Sequence, residues 1–161
     1  MNPTIYNQLP GEPGIFQTIN MMRELVNKNF LHPYIRERAA TIVRECYRKK
    51  SCEDTRLLAW VNSTVQYLRD PLGVEALHNP VSFTEAKIRR GEKPFGDCDD
   101  MSIYLATLLK SIGHDPMFRI LSRTGNSYHH VHVWCDGNLL DPTLMLGRLP
   151  REAAKAVLIR I

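Results

Sequence analysis

"GDCDDMSIYLATLLKSIG", residues Gly96–Gly113, sets one cysteine among three aspartates ahead of an apolar repeat of helical period. Asp97 suits an N-cap, because its carboxylate can accept from an unpaired N–H of the first turn. Asp100, three residues on, completes an acidic variant of the capping box. Met101, Leu105, Leu108 and Ile112 then recur on one stripe, and Gly113 supplies the stop. Cys98 is thus the first residue of a predicted amphipathic helix, where unpaired N–H groups and the helix dipole favour a thiolate or an oxyanion. Asp97, Asp99 and Asp100 act the other way, since like charges raise a thiol pKa unless their carboxylates are paired or turned aside. The helix start alone leaves Cys98 open as either a nucleophile or a small core residue beside an acidic cap.

Upstream, the pattern is helical. Ile15, Ile19, Met22 and Val26 predict a helix from about Gly14 to Phe30, and Ile35, Ala39, Ile42, Val43 and Cys46 predict another over Pro33–Lys49. Cys46 reads as core. A third helix begins near "CEDT" and runs through Leu57, Leu58, Val61, Val65 and Leu68 to Asp70-Pro71, with Trp60 and Tyr67 beside the stripe. Residues 71–96 form a long connection in which "FTEAKIRR" is helical, and such connections often border sites.

Downstream, the period becomes 2. "PMFRILS", "SYHHVHVWC", "NLLDPTL" and the terminal "AVLIRI" read as strands, and the Asp-Gly of "CDGN" marks a tight hairpin turn. Helices followed by an antiparallel sheet predict an α+β domain. With 161 residues the chain suits one core: an extended arm at 1–14, then a single domain at 15–161, helical over 15–113 and a sheet over 114–161.

Composition narrows the class. The chain is 43% hydrophobic and 24% charged with net charge +4, and no apolar run approaches the roughly 20 residues of a membrane span. The Lys and Arg residues are scattered among acids, so no nucleic-acid site is predicted, and "RKK" at 48–50 reads as a solvated helix end. The start lacks the basic and apolar regions of a secretory signal. Cys46, Cys52, Cys98 and Cys135 form no C-x-x-C pair, which argues against a zinc ribbon and against a dense disulfide framework. A reducing, cytoplasmic compartment is the expectation.

Strand alternation in "SYHHVHVWC" puts Tyr128, His130, His132 and Trp134 on one face, and His129, Val131, Val133 and Cys135 on the other. The valine face reads as core, with Cys135 structural; the histidine face reads as a cleft wall. If Asp136-Gly137 is the turn, Cys135 pairs with Asn138, Trp134 with Leu139, Val133 with Leu140 and His132 with Asp141. Asp141 then shares a face with both histidines and can orient an imidazole that accepts the thiol proton. His130 and His132 lie about 6.6 Å apart along a strand, so one of them can reach Cys98. Bare pairing favours His132. A zinc site made of Cys98, His130, His132 and Asp141 is the third possibility.

These motifs together resemble the transglutaminase-like superfamily, a papain-like fold with a Cys-His-Asp triad, and most closely its bacteriophage and prophage subgroup. "GDCDDMSIYLATLLKSIG" resembles the cysteine motif, "HVHVWC" the histidine strand, "LLDPT" the aspartate motif, and "YLRDPLGVEALHNP" the segment leading to the cysteine. The resemblance runs from about Trp60 to Thr143. The subgroup's frame of aromatic, variable residue, His, Val, aromatic, Val falls on Tyr128 to Val133 and assigns the role to His130. The superfamily form with Trp two residues after His fits His132 instead. The connection from histidine to aspartate is shorter than the pattern and lacks its tryptophan.

The resemblance implies a cysteine-dependent acyl transfer on peptide or glutamine-type amides. Cys98 would be the nucleophile, His130 the base with His132 as rival, and Asp141 the orienting carboxylate. Backbone N–H groups of Cys98 and Asp99 would form part of the oxyanion hole, with Trp60 and Tyr67 as candidate side-chain donors. No metal or cofactor is required. The implied partners are protein or peptide substrates, such as virion proteins or cell-wall peptide, in a bacterial host cytoplasm or a virion. A non-catalytic virion assembly or adaptor protein that keeps the fold is the alternative.

Overall fold

The structure, a computed structural model, describes residues 3–71, 74–144 and 153–161. Helices come first: α1 Glu12–Asn29, α2 Pro33–Val43 with a 3-10 turn over Arg44–Cys46, α3 Lys50–Thr64, α4 Pro80–Arg90 and α5 Cys98–Ser111. Short strands β1 Thr4–Asn7, β2 Gln66–Tyr67, β3 Val74–Leu77 and β4 Phe95–Gly96 are interspersed, β1 pairing with β3 and β2 with β4. The chain then builds β5 Met117–Ser122, β6 His130–Cys135, β7 Asn138–Leu140 and β8 Lys155–Arg160 into an antiparallel sheet of order β7-β6-β5-β8. This is an α+β arrangement.

Two boundaries move. The opening arm holds β1, and α1 begins at Glu12 with Pro13 in its first turn, where a missing N–H costs nothing. The third helix stops at Thr64 rather than at Asp70, because Val65 turns extended and Gln66–Tyr67 pairs with Phe95–Gly96. Met1, Asn2, Leu72, Gly73 and the predicted sheet region at 145–152 lie outside the described residues.

The helix α5 is central rather than amphipathic. Every residue from Asp100 to Leu109 is buried, with α1 to α4 around it and β6 against it. Its polar side chains tolerate this because each finds a partner. Ser102 Oγ donates to Val131 O at 3.2 Å and Thr107 Oγ1 to Ile103 O at 2.6 Å, while Tyr104 OH meets Trp60 Nε1 at 3.0 Å and Thr84 Oγ1 at 2.9 Å. Gly96 lets the chain approach this helix closely, since a Cβ there would lie 2.8 Å from Asp100 Cβ and 3.1 Å from the Phe83 ring.

A disulfide joins Cys46 to Cys52. It clips the turn between α2 and α3, where Tyr47 and Arg48 both take positive φ, 49° and 62°, a conformation uncommon for side chains of that size. Cys46 is in the core, as its stripe predicted, but as half of a bridge. The sequence argued against a dense disulfide framework, and this single bridge leaves Cys98 and Cys135 free. Closing so short a loop stabilises by about 2 kcal/mol in the chain-entropy account. A Cys46→Ser/Cys52→Ser protein should therefore show a lower urea midpoint; coincident midpoints would remove the bridge from the stability account.

Candidate functional site

The first turn of α5 meets an open stretch of sheet edge. Strand β7 ends at Leu140, paired with Val133, so β6 from His130 to His132 has no partner on that side. Cys135 and Asn138 flank a two-residue turn, with φ 48° at Asp136 and 85° at Gly137. By the period of the ladder, Val131 then points its backbone groups toward the missing strand. Side chains of α5 take them: Ser102 Oγ donates to Val131 O, and the Val131 N–H addresses the Cys98 sulfur, favouring its charged form.

The three aspartates separate by role. Asp97 is the N-cap, accepting from Asp99 N at 3.0 Å, and burial followed by the nearness of Asp100 pushes its carboxyl up to about 7. Asp100 is buried and turned away, accepting the His78 backbone N–H at 2.7 Å and pairing with His78 Nδ1 at 2.9 Å. Asp99 faces the thiol: Cys98 Sγ donates to its Oδ1 at 3.3 Å. Burial, then Asp97 and Glu75, raises the Asp99 carboxyl well above its usual range, and the two acids Asp99 and Glu75 hydrogen-bond each other. Burial, with Asp99 and Asp97 adding to it, likewise raises the Cys98 thiol well above its ordinary value. The resting site holds a neutral thiol. Among the described residues Cys98 makes no hydrogen bond to either imidazole.

The two histidines also separate. His130 is partly exposed, and its Nε2 lies 2.7 Å from Asp141 Oδ2. Its Nδ1 has no partner among the described residues and is the nitrogen left to move a proton. His132 is fully buried. Arg119, its cross-strand partner, points Nη1 at its Nε2 at 3.1 Å. A guanidinium only donates, so Nε2 accepts and Nδ1 carries the proton, 3.5 Å from Asp141 Oδ2. Burial lowers the His132 pKa despite Asp141, so the ring is neutral with its accepting nitrogen occupied. The expectation that both rings face the cleft is corrected: His130 does, and His132 is a buried support. Asp141 lies beside both, as the register predicted. Burial works against its charge, but hydrogen bonds from His130, His132 and Thr143 outweigh that and hold its carboxyl far below the usual range.

Cys98, His130 and Asp141 line one cleft of about 920 Å³, together with Tyr67, Glu75 and Tyr128. Of the two backbone donors expected for an oxyanion, the Asp99 N–H is taken by Asp97, which leaves Cys98 N–H. Trp60 gives its N–H to Tyr104 inside the core, while Tyr67 lines the cleft and remains a donor. Thr143 fixes the other oxygen of Asp141 through its N–H at 3.0 Å and its hydroxyl at 2.7 Å, a local turn legible in "DPT". Asn62 holds the same loop through Pro142 O and Leu144 O, and Arg119 holds His132. Neither carried a sequence signal, because each acts across chain segments far apart.

His130, His132 and Asp141 present three ligating atoms close together. His130 Nε2 and Asp141 Oδ2 already satisfy each other, and the Arg119 guanidinium at His132 Nε2 opposes a cation. Cys98 does not belong to that group. No family model, curated protein or solved structure matches the chain.

The Asp99 contact yields a measurement. Replacing Asp99 with Ala removes the acceptor of the Cys98 proton, so the thiol pKa should fall and the thiolate fraction at neutral pH should rise about tenfold. Iodoacetamide labelling of Cys98 at pH 7 should accelerate about as much; an unchanged or slower rate would show that Asp99 does not govern the thiol.

Proposed function

We propose that the chain is a cysteine-dependent acyl-transfer enzyme acting on peptide or glutamine-type amides, with Cys98 as nucleophile, His130 as base and Asp141 as orienting carboxylate. One observation carries the reading: Cys98 at the start of α5 and the Asp141-anchored His130 line the same cleft. The order of cysteine helix, histidine strand and aspartate supports a papain-like, transglutaminase-like core within the α+β fold.

The chemistry follows from the resting thiol. His130 Nδ1 takes the Cys98 proton as the sulfur attacks the acyl carbon, and Asp141 at Nε2 stabilises the imidazolium that forms. The carbonyl oxygen becomes an oxyanion, which Cys98 N–H and the Tyr67 hydroxyl would receive. As the C–N bond breaks, the proton passes from His130 to the leaving nitrogen, ammonia from a glutamine side chain or the amine of a cleaved peptide. A thioester on Cys98 remains. Water or an amine then gives its proton to His130, attacks the thioester and releases Cys98, completing hydrolysis or crosslinking.

The non-catalytic reading, a virion assembly or adaptor protein, draws on the Cys98–Asp99 hydrogen bond, which leaves the thiol neutral at rest. The Cys46–Cys52 bridge suits a protein exposed to an oxidising environment, as a virion component is, better than one confined to a cytoplasm. No described helix is long and apolar enough to cross a membrane.

Hydroxamate formation from a blocked Gln-Gly dipeptide and hydroxylamine, with ammonia release followed in parallel, tests the enzyme reading. Wild-type protein should turn over, Cys98→Ala should be inactive, and His130→Ala should lose between about 10² and 10⁴ in rate. Arg119→Ala should retain His130-dependent activity in part. Equal signals from wild type and Cys98→Ala would contradict the proposal.

A further inference from the structure

A second cluster lies away from the cleft, at the far end of β6. Four segments build it: Glu53 and Asp54 from α3, His114 after α5, Cys135 and Asp136 at the hairpin turn, and Asn138 on β7. His114, Asp54 and Cys135 are buried. Three atoms crowd a single ring nitrogen, His114 Nδ1: Asp54 Oδ1 at 3.2 Å, Asp136 Oδ2 at 3.1 Å and the Cys135 thiol sulfur at 3.6 Å. One N–H cannot serve both carboxylates, and the Cys135 thiol gives its own proton to Asp136 Oδ2 at 3.7 Å. Asp54 Oδ1, on a residue only 2% exposed, has no hydrogen-bond partner among the described residues and is aimed into the cluster.

We propose that these four atoms form a structural site for a zinc-type divalent ion, with His114 Nδ1, Cys135 Sγ, Asp54 Oδ1 and Asp136 Oδ2 as ligands. The spacings fit. Tetrahedral zinc with its usual bond lengths sets nitrogen and oxygen ligands about 3.3 Å apart and pairs including sulfur about 3.6 Å apart. The observed nitrogen–oxygen separations are 3.2 and 3.1 Å, the nitrogen–sulfur separation is 3.6 Å, and Cys135 Sγ lies 3.7 Å from Asp136 Oδ2.

The outer contacts fit as well. A metal-bound histidine usually gives its other N–H to a carboxylate, and His114 Nε2 lies 2.8 Å from Glu53 Oε2. Asn138 Nδ2 donates to the other oxygen of Asp54 at 3.0 Å, and Lys50 Nζ to the other oxygen of Asp136 at 2.8 Å. His114, Asp54 and Asp136 are thus each oriented through an atom that the ion does not need. Uptake of one dication releases the thiol proton of Cys135 and the proton on Nδ1. Four protein ligands leave no open position, as in structural zinc sites. The ion would pin the β6–β7 hairpin, which carries His130 and leads to Asp141, onto α3 and the end of α5.

Cobalt titration of untagged, chelator-treated full chain tests this. One Co²⁺ per chain should bind with the absorption of a tetrahedral site and a thiolate-to-cobalt charge-transfer band. That band should persist in Cys98→Ser and vanish in Cys135→Ser, while Glu53→Gln should weaken uptake by about 10- to 100-fold. Zinc should raise the melting temperature of wild type and Cys98→Ser alike. No uptake by wild-type protein overturns the proposal, as does a band that survives Cys135→Ser or disappears in Cys98→Ser.

Discussion

The unpaired edge of β6 at Val131 is the constraint on which the candidate site rests. Because β7 is only three residues long, the backbone groups of Val131 need partners from elsewhere, and a buried backbone group without one is costly. Helix α5 supplies them from its first turns through Ser102 and Cys98. The same contact that completes the sheet edge brings the helix start to the residue next to His130. A longer β7 would pair Val131 conventionally and exclude the cysteine, so the short connection between histidine and aspartate is a condition of the site.

Electrostatics then distributes the work. Three acids beside one thiol would be a poor setting for a nucleophile if all faced it, but Asp97 caps the helix and Asp100 pairs with His78. Asp99 faces the thiol and accepts its proton in a hydrogen bond, adding to the burial that keeps the sulfur neutral. Across the cleft, Arg119 occupies the accepting nitrogen of His132, and Asp141 lies against both rings. The arrangement favours a thiol that is neutral at rest and, in the proposed acyl transfer, gives up its proton as it attacks.

Much of this was legible in the sequence, for local reasons. Asp-Gly sets a two-residue turn, so the β6–β7 register and the placement of Asp141 beside the histidines followed from counting. Counting alone favoured His132, and the choice of His130 came from the family resemblance. The reason against His132 is Arg119, which becomes its neighbour only through β5–β6 pairing. The all-round burial of α5 was hidden because Ser102, Tyr104 and Thr107 look solvent-facing until their partners are known. The Cys46–Cys52 bridge depends on two successive left-handed residues that nothing in "YRK" announces. The His114 cluster draws on four separate segments, beyond the reach of any local pattern.

The central claim is that Cys98 and His130 act as one unit across the cleft. The pH profile of Cys98 alkylation by iodoacetamide, in wild type beside His130→Ala, tests it most directly, with the Cys46–Cys52 bridge intact and Cys135 as the buried internal reference. The account predicts that losing His130 slows labelling of Cys98 by about tenfold near pH 7 and moves the profile to higher pH. Superimposable profiles would contradict it.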